Sequence, residues 1–193
     1  MLTQLSTIKA RLGILDTDLQ YDTLLTNAIQ AASERFDREC NRQLARAEGV
    51  TQEFSADITE LCAHCYPIET VSKFEVKDSE SGGWVEQAGV EYLVRQRCVI
   101  SLAAPLGSCR QQGRITYTGG YVLPGTPPAE GQTPLPRDLE QAAIEQVAYW
   151  FQNRDRLGLL RIWEYNGTYR HYADLDLLRS VRAVLFQYTR WDY

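Results

Sequence analysis

The run Leu61-Cys62-Ala63-His64-Cys65 gathers two thiols and an imidazole, the residue types that hold zinc or exchange electrons. Two thiolates separated by two residues can share a zinc ion, and His64 or His171 could add a nitrogen ligand. A structural zinc site usually needs a second such pair. The remaining cysteines, Cys40, Cys98 and Cys109, are not spaced as one. In a strand, Cys62 and Cys65 also project to opposite faces, because their separation is odd. A redox pair of the thioredoxin kind opens a helix, whereas this run leads into Tyr66-Pro67-Ile68. The better reading is two cysteines packed in a strand, with a small zinc-binding or redox module at Cys62 and Cys65 as the alternative.

Other chemistry is sparse. The chain has no Gly-x-Ser-x-Gly nucleophile turn and no phosphate-binding P-loop. Gly119 and Gly120 are paired but do not lead directly into a helix, so they mark a chain reversal leaving a sheet. Glu140 and Glu145 fall on the polar side of a helical segment and read as solvated surface. No residue is marked as a nucleophile, and no catalytic residue, cofactor site or metal site is assigned.

The 193 residues are 44% hydrophobic and 23% charged, ordinary values for a globular chain. No apolar run approaches the roughly 18–20 residues a membrane helix needs, so no membrane partner is expected. The N-terminus lacks the apolar core of a signal peptide, which points to a cytosol or to something assembled there. Reduced, buried thiols follow from that setting. The net charge is −5, and no basic block offers a grip on duplex DNA.

The elements that must position these residues can be read from periodicity. Leu2, Leu5, Ile8 and Leu12 repeat at helical spacing, and Gly13 closes that helix. Thr17 with Gln20 fits a capping box, which predicts a second helix over Asp18–Asn41. Its stripe is Leu25, Ile29, Ala32, Phe36 and Cys40. Leu24, Ala28 and Ala31 widen the stripe, suggesting cover on more than one side. From about Val50 to Tyr121 the period becomes two, and Ser81-Gly82-Gly83 marks a hairpin. Gly119–Pro136 holds five of the seven prolines and reads as a strap too rich in Pro and Gly to pack. Pro136 opens a third helix over Arg137–Asn153, and a last one is predicted over Asp174–Tyr188. The expected fold is α+β and mainly α: a helical bundle with an inserted antiparallel β-rich region and a C-terminal helix and tail. It is read as a single domain. Residues 1–45 carry N-terminal helices, 50–121 the β-rich insertion, 122–136 the strap, and 137–193 the C-terminal helices and tail.

The chain end is rich in the residue types enriched at interface hot spots. Tyr188, Arg190, Trp191 and Tyr193 are therefore candidates for binding a partner.

Taken in order, these features resemble tailed-phage head–tail connector proteins, also called adaptor or head-completion proteins. The resemblance rests on Tyr117–Tyr121, Leu135–Arg154 and Val181–Arg190. The aromatic stretch Arg161–Tyr172 departs from the pattern. The resemblance implies a structural virion protein at the head–tail interface, assembled in the host cytoplasm, with no cofactor and no enzymatic activity. It implies a ring of copies, typically a dodecamer, under the portal protein. That ring extends the DNA channel, which DNA traverses without sequence-specific binding, and offers a platform for a stopper or tail protein. A stopper or tail-terminator ring is the related alternative.

Overall fold

The computed structural model describes residues 1–155, 161–163, 169–171 and 176–190. Contacts divide the chain into two bodies: Met1–Cys40 with Leu135–Thr189, and Asn41–Pro134 with the chain end from Arg190.

The first body is built on four helices, α1 (Leu5–Leu12), α2 (Asp22–Glu39), α3 (Arg137–Gln152) and α4 (Arg179–Phe186). Gly13 ends α1 as expected. It takes the left-handed conformation, φ 70°, and the Ile14 N–H donates back to the Lys9 carbonyl at 2.9 Å. The start of α2 differs from the capping-box expectation by four residues. Asp18 accepts the Gln20 N–H at 3.0 Å, and turns from Leu15 to Asp18 and from Leu19 to Asp22 hold the segment outside the helix. The buried Lys9 ammonium fixes these turns by donating to the Asp16 and Asp18 carbonyls, at 3.2 and 2.8 Å.

Pro136 sits at the N-cap of α3 with φ −56°, already suited to helix initiation. The buried face of α3 includes Leu139, Ala143, Ile144 and Val147. Ile8, Leu25, Ile29 and Ala32 meet Ile144 and Val147 in the core of this body. Gln146 is fully buried on α3, and its side-chain Oε1 accepts the Leu178 N–H at 2.8 Å, which fixes the N-terminus of α4. Residues Arg161–Trp163 and Tyr169–His171 form a short antiparallel ladder.

The second body carries nine strands, β1 (Ala47–Ser55), β2 (Glu60–Cys62), β3 (Ile68–Lys77), β4 (Val85–Gln87), β5 (Tyr92–Arg95), β6 (Val99–Leu102), β7 (Gln112–Gly119), β8 (Tyr121–Val122) and β9 (Thr133–Pro134). One sheet has the order β1-β7-β3-β4 and another β2-β6-β5, all pairs antiparallel. In β7, Gly113, Ile115, Tyr117 and Gly119 are buried in strict alternation. Phe74, Ile100, Ile115 and Tyr117 centre a core of their own.

This arrangement overturns the mainly-α expectation. Helical and strand residues are nearly equal in number. The period-two runs are not an appendage of a bundle, because they bury large apolar side chains among themselves. The strap also corrects its expectation. Tyr121 and Val122 are buried, and β8 pairs in parallel with β9 near its far end. Only the intervening tip is left as loop.

Each body contains a carboxylate held in its charged form. Burial pushes the Glu75 carboxyl up, but hydrogen bonds from Lys73 at 3.0 Å and Arg114 at 2.9 Å outweigh it and hold the group below the usual carboxylate range. Asp176 is held low by the Leu177 N–H at 2.9 Å and by the Arg182 and Arg35 guanidiniums. A folded pKa below the unfolded value gives stability that is present above the unfolded pKa of about 4 and lost as pH falls through the folded value. Urea midpoints are therefore expected to start dropping as pH falls toward about 4 and to keep dropping below it. Glu75→Gln should lower the midpoint at neutral pH and shallow that acid limb; an acid limb unchanged by Glu75→Gln would contradict the assignment.

Candidate functional site

The cysteine run is a packing element. Cys65 is fully buried, and its Sγ donates to the Gly119 carbonyl at 3.2 Å and the Ala45 carbonyl at 3.4 Å. Its N–H donates to the Tyr117 hydroxyl at 2.9 Å. Gln52, paired with Ile115 in the sheet, clamps the rest of the run. Its Nε2 donates to the Cys62 carbonyl at 3.0 Å, and its Oε1 accepts the His64 N–H at 2.9 Å. Among the described residues no group of three or more His, Cys, Asp and Glu could hold a metal ion. The His64 ring instead faces the Arg190 guanidinium, 2.8 Å from Nδ1.

The thiols are not all buried, as the sequence reading expected. Cys62 and Cys98 are half-buried and Cys109 is exposed. Burial pushes the Cys98 thiol up, which keeps it protonated and poorly nucleophilic at neutral pH. Burial likewise pushes the Tyr117 phenol up, so it remains a neutral hydrogen-bonding group. Beside this cluster the buried Arg42 guanidinium lies 3.1 Å over the Tyr66 ring and donates to the Tyr66 carbonyl. Burial also raises the Tyr66 phenol, more than the arginine lowers it. This is a structural stack, and nothing in it presents a nucleophile or general base to a cleft.

The four chain-end candidates divide. The Tyr188 hydroxyl is 2.8 Å from both carboxylate oxygens of Asp138, in the first turn of α3. Arg190 meets His64, as above. Trp191 and Tyr193 lie outside the described residues, as does half of the stretch Arg161–Tyr172. The sequence had no local signal for the Asp138 partner, which is 50 positions away.

One surface was misread. Leu24, Ala28 and Ala31 look like a second buried stripe of α2, yet Leu24 is 47% exposed and Ala31 is exposed. Here a hollow of about 550 Å³ opens between α2 and α3. Leu24, Ala28, Trp150 and Phe151 line it, together with Arg35 and Arg154. Arg35 pairs with Asp176. Arg154 stacks on Phe151 and Tyr21, with ring centroids 4.6 and 5.6 Å away. Apolar surfaces of this kind are candidate docking sites.

Comparison with known proteins agrees with a structural role. Residues 2–81 match the family described as phage gp6-like head-tail connector protein. The matched stretch runs from the start of the chain through β3, and the connector resemblance read from the sequence is borne out. Solved structures of similar fold include three that match over nearly the whole chain. They are the neck of an empty GTA particle computed with C6 symmetry (TM-score 0.64, 16% identity), the virion of a native gene transfer agent (GTA) particle (0.63, 17%), and the neck of a native GTA particle computed with C12 symmetry (0.58, 15%). The alignments cover 97%, 97% and 98% of this chain and 89% of each of the others. At these identities the likeness is one of fold. No curated protein matches the chain.

Proposed function

We propose that this chain is a structural head–tail connector of a phage-like particle, working by shape and contact with no bond made or broken. The observation that carries the reading is the match of residues 2–81 to the head-tail connector family. The fold shared with particle necks supports it, and so does the uncatalytic character of the cysteine cluster. The chain assembles as a ring, a dodecamer in the finer form of the proposal, at the head–tail interface beneath the portal. The ring extends the DNA channel, and a net charge of −5 suits a wall that DNA passes without sticking. A stopper or tail protein docks on its far side.

In this reading Tyr188, Arg190, Trp191 and Tyr193 help bind the portal. Tyr188 is already engaged by Asp138, so the sharper test leaves it in place. Electron microscopy of the protein mixed with portal rings should show added density beneath the portal. Arg190 likewise meets His64, so the combined variant Trp191→Ala, Tyr193→Ala should stay folded and lose about tenfold or more in portal affinity. Binding equal to that of the parent chain would remove the chain end from the portal contact. Capture by tail proteins and not by portal would move the ring to a stopper or terminator position.

A further inference from the structure

The α1–α2 loop, Leu15-Asp16-Thr17-Asp18-Leu19, has the opposite character to the α2–α3 hollow. Leu15 and Leu19 are 74% and 71% exposed. Such large apolar side chains on a floppy loop would be unremarkable, but this loop is fixed. Lys9, itself only 2% exposed, donates to the Asp16 and Asp18 carbonyls and pairs with Asp22 at 2.5 Å. The chain therefore uses a buried cation to hold two leucines out in water, with two carboxylates between them. The Asp16 carboxylate has no ion-pair partner among the described residues. The hollow offers the complement: apolar walls from Leu24, Ala28, Trp150 and Phe151, and the Arg154 cation, which makes no ion pair among the described residues.

We propose that the Leu15–Leu19 loop of one copy seats in the α2–α3 hollow of the next, its leucines on the apolar walls and its carboxylates toward Arg154. The occupant is a second copy of this chain. The charge complementarity and the matched apolar surfaces identify it, and the two structures computed with C6 and C12 symmetry among those of similar fold agree with a repeated contact. The contact is heterologous, one face meeting a different face, so it propagates from copy to copy and makes a ring where the rotation closes. The inference rests on the connector reading and names the contact between neighbouring subunits.

Charge reversal tests it. Variant one is Asp16→Arg with Asp18→Arg; variant two is Arg154→Glu. Each alone sets like charge against like charge at every contact, and self-association should weaken about tenfold or more. Mixed in equal amounts, each loop meets an opposite charge, and assembly should return with the two variants alternating, giving even-numbered species in native mass spectrometry. Circular dichroism checks that both variants are folded, and Leu15→Ser with Leu19→Ser, which removes the apolar part alone, should also weaken association. A parent chain that stays monomeric to about 1 mM would overturn the proposal. So would single variants that associate like the parent, a mixture that fails to recover, or a hollow filled only by portal or tail protein. None of these outcomes removes the chain from the particle neck. Absence of the chain from neck density would do that, and it is read separately.

Discussion

Gly119→Ala is expected to lower the unfolding free energy by about 3 kcal/mol, among the largest effects of any single methyl group in this chain. The added Cβ would lie 2.5 Å from the Cys65 carbonyl oxygen and 2.9 Å from that of Pro67. Both are backbone atoms, so no side chain can rotate away to make room. Gly119 is also paired on both sides, with Ala47 of β1 and Ile68 of β3. Its own carbonyl accepts the Cys65 thiol, and the next N–H donates to Pro67 at 3.0 Å. A shift large enough to relieve the clash would break these links together. Gly131→Ala is the control. Its φ is +84°, and nothing lies within 4 Å of the new atom, so only left-handed strain of about 1 kcal/mol remains. Urea melts of the two variants check the contrast, and equal midpoints would contradict the steric account.

Lys9→Met is expected to cost about 3 kcal/mol and to loosen the α1–α2 loop. Methionine preserves the volume of the stem and removes the charge together with its N–H donors. Two carbonyls and the Asp22 carboxylate then lose their donor in a place from which water is largely excluded. Asp22 is partly exposed and can rehydrate, but the carbonyls of Asp16 and Asp18 would have to turn outward. Amide hydrogen exchange should quicken in residues 14–21 and change little in α3. Unaltered exchange there would show that the turns hold without the lysine, and the loop would no longer count as preorganised.

These two sites also mark how far the sequence could be read. Gly13 and Pro136 are local signals, and the ends they predict stand within a residue or so. Ser81-Gly82-Gly83 likewise announces the β3–β4 hairpin. The capping box at Thr17 fails because Lys9, from the preceding helix, competes for the same segment, and no local pattern encodes that reach. Alternation revealed most of the strands but not that they would close a core of their own, because that depends on β1, β3 and β7 finding one another across long separations. Pro and Gly content said that the strap could not pack, while Tyr121 and Val122 inside it do. The second stripe on α2 is the reverse error: an apolar face reads as core whether its cover comes from the same chain or from another. At the chain end, the aromatic and arginine content pointed outward, yet Tyr188 and Arg190 have partners, Asp138 and His64, that only the folded chain brings near.

The two-residue parallel pairing of Tyr121–Val122 with Thr133–Pro134 has an evolutionary consequence. It pins both feet of the proline-rich tip, so the tip's length hardly affects the sheet below. Doubling a loop with fixed ends costs only about 0.6 kcal/mol. A lineage could extend, trim or exchange this segment to suit a new neighbour while the scaffold stays as it is.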